Sequence, residues 1–345
     1  MGEIGLRSGK ISPRILRGLV LSHLGYDRDE VIVPAAFGED ASVLDLGNAP
    51  VILSTDPITA AEAGAGRLAV IISCNDVAAG GGEPVGVLLT IILPEGSDQE
   101  VLRRIMGEAH ETAKAMGVAI IGGHTEVVPH VSQPIISTTV VGKALPDLPY
   151  WPITSSAARP GDKLLMTKVA GLEGTAILAA DFAEILRERG VSEEELREAE
   201  ALGDLISVVP EALEAARTGA RAMHDVTEGG IIGAAYEMAA ASGTGVIIRE
   251  EDIPIEPVTR TFCRALHLDP LRLISSGALL IATPDGDDVE EALKGIGVRV
   301  TDIGSIVEEE ELSLVRRLPG GGEVRMELSP PDRDELWRAV EMYRL

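Results

Sequence analysis

The sequence predicts a two-domain mixed α/β (α+β) fold, and three observations carry that expectation. The 345 residues correspond to about two domains at roughly 150 residues each. Short apolar runs of strand character alternate with segments of helical spacing through both halves. Between them, Pro146 to Pro160 holds four prolines and two serines, the composition of a linker. The expected boundaries are therefore 1–150 and 151–345.

The elements follow in order. Ile11 to Leu24 has helical spacing through Ile15, Leu16, Leu19 and Val20. Val51 to Ser54 is a short buried strand that ends at Thr55-Asp56, and Arg67 to Ala79 is a largely buried helix of small and apolar residues. Val85 to Leu93 is a strong strand stopped by Pro94. Ser97 with Glu100 forms a capping box, and the helix it opens runs to Met116 with Gly117 at C′. Val118 to Ile121 is a strand leading into Gly122-Gly123, and Ile135 to Val141 is another.

The second half restarts with a strand at Lys163 to Thr167. Helices are expected over Gly171–Leu186, Ser192–Ala201, Ile231–Ala241, Val258–Leu266, Val289–Lys294 and Glu335–Tyr343. Strands are expected over Val246–Ile248, Ala278–Ala282 and Val298–Val307, with a hairpin over Leu312–Leu328 around three glycines.

Composition narrows the function. Hydrophobic residues make up 45% and charged residues 25%, an ordinary globular balance. Aromatics are only 3%, so the core must be aliphatic. The net charge is −25, with −7 on residues 1–160 and −18 on the rest. Neither half offers the basic surface that nucleic acid requires, and anionic membranes are equally poor partners. Two distant cysteines, Cys74 and Cys263, make neither a disulfide framework nor a zinc ribbon; both suit small buried apolar positions. No run is long enough to span a bilayer, and the N-terminus lacks a signal-peptide core. A cytoplasmic protein is expected.

Familiar motifs are absent. There is no P-loop. Gly64-Ala65-Gly66 starts like a dinucleotide fingerprint but has Ala69 where the third glycine belongs. His110-Glu111 lacks the second histidine of a zinc site, and no nucleophile elbow occurs. What remains is five polar motifs placed in loops between apolar strands: Gly38-Glu39-Asp40, Ser54-Thr55-Asp56, Ser73-Cys74-Asn75-Asp76, Gly122-Gly123-His124-Thr125-Glu126, and His224-Asp225-Val226-Thr227-Glu228-Gly229-Gly230. Carboxylates beside glycines suit a hard cation such as Mg²⁺, which shares its shell with phosphates. A nucleotide held mainly through metal follows. Taken singly, an aspartate after a strand is also a common turn former or helix cap, so the weight lies in the set.

In this order the five motifs resemble the superfamily of aminoimidazole ribonucleotide synthetase (PurM), which includes thiamine-monophosphate kinase, selenophosphate synthetase and the hydrogenase maturation protein HypE. FGEDASVLDLG, STDPIT, SCNDVAAGGGEPVGVLLTIILPEG, GGHTEVV, ARPGDKLLMTKVAGLEGTAILA, HDVTEGGIIGAAYEMAAASGTGVIIREEDIPI and CRALHLDPLRLISSGALLIA most resemble HypE. The resemblance implies a PurM-like fold whose N-terminal domain dimerises into a β-barrel, with ATP and Mg²⁺ as cofactors and an α/β C-terminal domain. It implies phosphorylation of an amide-, thioamide- or carboxyl-type oxygen on a small-molecule or protein-borne acceptor, with a maturation-complex partner. A small-molecule kinase and a non-catalytic ATP-binding partner are the alternatives.

Position by position, the resemblance makes Asp40, Asp56, Asp76 and Asp225 metal ligands. Asp56, Asp225 and His124 become catalytic candidates. Lys10, Asp40, Asn75, Asp76, Gly122, Gly123, Thr227 and Gly229 become candidates for ATP. Lys10 reads equally as a solvated lysine. Three departures from HypE stand out. The chain ends Glu341-Met342-Tyr343-Arg344-Leu345 without the tail cysteine, so a HypE-like relative lacking that thiol is expected. His124 stands where HypE has Asp, and Glu39 replaces an Asp, which is expected to move one metal.

Overall fold

The computed structural model describes residues 13–343 apart from 22, 25–28, 48, 60–63, 310, 319, 330 and 331. The expected contact of Lys10, and the start of the Ile11–Leu24 helix, lie outside the described residues. A short helix α1 (Pro13–Ile15) continues as a π-turn over Leu16–Val20. Among the described residues no helix is long and apolar enough to cross a membrane. The chain forms two compact units. One comprises 28–34 and 40–147; the other comprises 1–27, 35–39 and 148–345.

The smaller unit is a six-stranded sheet with helices packed on it. Its elements are β1 (Val31–Val33), β2 (Ser42–Asp45), β3 (Pro50–Ile58), α2 (Ala65–Ala79), β4 (Gly82–Pro94), α3 (Gln99–Met116), β5 (Ala119–Val128) and β6 (Ile135–Ala144), with strand order β1-β2-β3-β6-β4-β5. Only the β4–β5 pair is parallel, joined through α3. β6 alternates in burial, so Ile136, Thr138 and Val140 face the interior. Such alternation marks a sheet with one covered face. The other face and the β5 edge leave Val85, Leu88, Ile121 and Val127 exposed.

Helix α2 is buried nearly all round: 13 of its 15 residues are inaccessible. Small residues make this close approach possible. A Cβ on Gly66 would come within 2.0 Å of the Ile105 carbonyl oxygen on α3, and one on Gly142 within 2.2 Å of Val77. The α2 N-terminus has no side-chain cap of its own. The Glu108 carboxylate accepts from Gly64 N (3.3 Å) and Gly66 N (3.1 Å) instead. The capping box expected at Ser97 is not formed. Asp98 is the N-cap and accepts from Glu100 N, while Ser97 donates to the Pro94 carbonyl at 2.7 Å.

The larger unit contains β7 (Lys163–Thr167), α4 (Leu172–Asp181), α5 (Ala183–Glu188), α6 (Glu193–Leu202), α7 (Val209–Thr218), β8 (Ala222–Asp225), α8 (Gly230–Ser242), β9 (Gly245–Arg249), α9 (Pro257–Leu266), β10 (Leu279–Thr283), α10 (Gly286–Gly295), β11 (Val300–Val307), β12 (Leu312–Arg317), β13 (Glu323–Glu327) and α11 (Glu335–Tyr343). Its seven strands run β13-β12-β9-β11-β7-β10-β8, antiparallel except for β9–β12. Ile231, Ala235 and Met238 of α8 join Leu164, Met166, Leu280 and Ile303 of the sheet in one core. Leu178, Phe182, Leu196, Phe262 and Ala339 form a second, between helices. The single helix expected over Gly171–Leu186 breaks at Phe182 into α4 and α5.

One buried ion pair ties three segments of this unit. The Lys168 ammonium contacts the Glu211 carboxylate and donates to the carbonyls of Ser207 (2.6 Å) and Gly277 (2.8 Å). Burial pulls its pKa down and the glutamate pushes it back. Removing one member of such a pair strands the other charge, at a cost of about 3–5 kcal/mol. Lys168→Met should therefore destabilise the chain by about that amount in denaturant unfolding. Lys168→Met with Glu211→Leu should recover a large part of the loss. Equal stability of the single and double variants would show that the pair carries no such role.

Candidate functional site

The smaller unit gathers polar groups where α2 crosses β3. Ser54 donates from Oγ to the Asp76 carboxylate in a short contact. Asp56 lies two residues beyond Ser54 on β3, hence on the same face. Strand β3 runs on to Ile58, so Asp56 sits within a strand, where the sequence reading put it after one. Asn75 and Asp76 belong to α2, the largely buried helix expected over Arg67–Ala79, and both are buried. A carboxylate there cannot be a solvated helix face, because α2 has almost none. Asp40 follows the Phe37–Glu39 segment and precedes β2.

Gly122, Gly123 and His124 likewise lie inside β5 rather than after a strand. Gly123 has φ +146°, and a Cβ there would meet the Leu89 carbonyl oxygen at 2.0 Å. Its glycine serves close strand pairing. His124 is exposed and stands 3.6 Å from Glu126. An open cleft of about 410 Å³ has Met106, Ile121, Gly123 and His124 in its lining.

In the larger unit, β8 ends in His224-Asp225, both almost inaccessible. This strand was not expected from sequence. Gly229 (φ +92°) and Gly230 (φ +61°) then turn the chain into α8. A Cβ on Gly230 would come within 2.7 Å of two carbonyl oxygens, those of Leu271 and Leu273. The loop is held from a distance: Asp334 accepts from Gly229 N at 2.6 Å and from Leu336 N at 2.7 Å. Burial raises the Asp334 pKa to about 7, Glu228 adds repulsion, and the backbone donors pull it back. Glu173, near the start of α4, is raised by burial and by Glu228, against a hydrogen bond from Ser276.

The expected residues thus divide. Asp40, Asp56, Asn75, Asp76, Gly122, Gly123 and His124 belong to one unit; Asp225, Thr227 and Gly229 belong to the other. Among the described residues no three His, Cys, Asp or Glu side chains converge closely enough to hold a cation alone. Asp56 and Asp76 still fit Mg²⁺. Both are hard oxygen donors on adjoining elements, and this ion commonly takes one or two carboxylates and completes its shell with phosphate and water. Sequence reading missed Asp334 and Glu173, for which burial is the only signal. Glu39, the longer residue in the first motif, accepts from Ser155 N (2.9 Å) and Ser156 N (3.1 Å).

Comparison with known proteins agrees with this architecture. Residues 38–144 match the N-terminal domain of AIR synthase related proteins, and 159–317 match the C-terminal domain. Carbamoyl dehydratase HypE of Escherichia coli K12 is 32% identical over 82% of this chain and 81% of its own. The chain belongs to the AIR synthase-related family, in its HypE-like branch. The crystal structure of E. coli HypE superposes with a TM-score of 0.71 at 29% identity, covering 86% of this chain and 92% of that one. A HypE structure in complex with ATP gives 0.67 at 25% identity, covering 95% and 97%.

The Asp334 carboxyl yields a pH prediction. Its pKa in the fold, about 7, lies above the ordinary 3.8, so between these values the folded chain holds a proton that the unfolded chain has lost. Its contribution to stability is therefore full below about pH 4 and is lost as pH rises through 7. Asp334→Asn should flatten thermal stability across pH 4–7 relative to the parent. An unchanged slope would remove Asp334 as its source.

Proposed function

We propose that this enzyme of the AIR synthase-related family uses ATP and Mg²⁺ to phosphorylate an amide-, thioamide- or carboxyl-type oxygen, which then leaves as phosphate. The observation that carries this reading is the pair of carboxylates, Asp56 and Asp76, on a strand and a buried helix of the smaller unit, with Ser54 fixing one of them. The carbamoyl dehydratase name of the E. coli relative and the ATP in a HypE neighbour support it. Dehydration of a carboxamide must expel its oxygen, a poor leaving group until phosphoryl transfer makes it a good one.

In this reading Asp56 and Asp76 would hold a cation, Asp40 and Asp225 are further metal-ligand candidates, and the bound cation would offset charge on the transferring phosphoryl group. Lys10, Asn75, Gly122, Gly123, Thr227 and Gly229 serve ATP. His124 is a catalytic candidate, and the acceptor is a small molecule or is borne by a maturation partner. The protein is placed in the cytoplasm, as a homodimer that covers the exposed Val85, Leu88, Ile121 and Val127. Neither thiol takes part. Cys74 and Cys263 are buried and burial pushes both up to about 12, so neither supplies a thiolate at neutral pH.

Phosphate release from ATP, measured with and without carboxamide acceptors, tests the reading. Asp56→Asn or Asp225→Asn should reduce it roughly a hundredfold or more. Cys74→Ser and Cys263→Ser should leave it within a few-fold of the parent. Tight ATP binding in EDTA, followed by calorimetry, would overturn the metal-bridged site. Light scattering should return near twice the 36.3 kDa chain mass; a monomer would overturn the dimer.

A further inference from the structure

We propose that Thr138 is a positioning residue of the Asp56–Asp76 site, its hydroxyl donating to the Asp56 carboxylate when that carboxylate turns onto a cation. The inference rests on the metal-bridged reading above and adds a residue to it. Thr138 is fully buried on β6, and its Oγ1 has no hydrogen-bond partner among the described residues. A buried hydroxyl left unpaired costs about 1–3 kcal/mol. Its interior-facing neighbours on β6 are Ile136 and Val140, so an aliphatic β-branched residue fits this row without that cost.

Register supplies the partner. β3 and β6 are antiparallel, and Asp56 is paired directly with Thr138. Directly opposed residues share a face with Cβ atoms about 4.5–5.5 Å apart. On the other face of the same two strands, Thr139 Oγ1 donates to Thr55 Oγ1 at 3.1 Å, so hydroxyls here reach across the ladder. α2 closes the site from above: Ser73 Oγ lies 3.4 Å from the Thr138 carbonyl oxygen, and Asp76 is one turn further along, held by Ser54. Thr138 therefore stands in line with Asp56 under the residue that leads to Asp76. Carboxylates that bind metal are commonly steered by a second hydrogen bond from the protein. Thr138 is the hydroxyl this sheet places to give it.

Full-length Thr138→Val and Thr138→Ser, compared with the parent, test this. Thermal unfolding is followed in EDTA and across a MgCl₂ titration with a non-hydrolysable ATP analogue. In EDTA the valine variant should be as stable as the parent or more so, because the unpaired hydroxyl is gone. Its Mg²⁺ requirement for nucleotide-induced stabilisation should rise about ten- to a hundredfold. The serine variant should keep the parent's Mg²⁺ requirement even where the lost methyl lowers its stability in EDTA. A valine variant with the parent's Mg²⁺ response would overturn the role of Thr138 and leave the metal site standing. A parent whose nucleotide response ignores Mg²⁺ would overturn both.

Discussion

The burial of α2 is the constraint from which the smaller unit follows. A helix with inaccessible residues on nearly every side cannot carry a charge at the sheet interface without a partner to accept it. Asp76 meets that condition through the Ser54 hydroxyl, and this fixes β3 against α2 at the point where Asp56 follows. Small residues, Gly66 and Gly142, let α2 approach α3 and the sheet this closely. An aliphatic core with few aromatics suits this. Alanine, valine and isoleucine pack at short helix–sheet distances, leaving room for a polar seam that bulky rings would fill.

In the larger unit the corresponding constraint is the left-handed backbone at Gly229 and Gly230. Its carbonyl neighbours exclude any side chain at Gly230, and Asp334 holds the loop through the Gly229 amide. Glu228 faces two buried carboxyls, Asp334 and Glu173, and raises both. Such carboxyls hold protons at a higher pH than exposed ones. The start of α8 is thus tied to α11, whose first residue lies directly after Asp334. The C-terminal helix acts as a brace for the loop that follows Asp225.

Much of this was legible in the sequence, for identifiable reasons. Strands such as β4 and helices such as α3 and α9 have unambiguous periodicity, and the five polar motifs mark real places in the fold. What failed was the boundary between strand and loop. Asp56, Gly122, Gly123 and His124 were read as loop residues because polar and glycine residues end an apolar run, yet β3 and β5 continue through them. The ladder with β6 and β4 supplies backbone pairing that local propensity does not record. Asp334 and Thr138 were invisible for another reason. Each matters through a partner more than eighty residues away in the chain, Gly229 or Asp56, and no local pattern announces such a pair.

Glu39 shows how a departure from a motif is best understood by what the replacement touches. An aspartate there would be shorter by one methylene, about 1.5 Å, and could not span to both amides that Glu39 now receives, at 2.9 and 3.1 Å. Those amides open the single turn at Ser155–Ala157. Ser155 Oγ in turn meets His224 Nδ1 at 3.1 Å, and His224 Nε2 meets Glu237 at 2.9 Å. Gly38 lies so close to the Glu237 carbonyl, 2.5 Å from a hypothetical Cβ, that no side chain could be admitted. The segment before Asp40 is therefore clamped at two consecutive residues, one by close backbone approach and one by a carboxylate long enough to cap a turn. The longer side chain thus anchors Gly38-Glu39 within the larger unit, and His224 links the same network to β8, the strand that ends in Asp225.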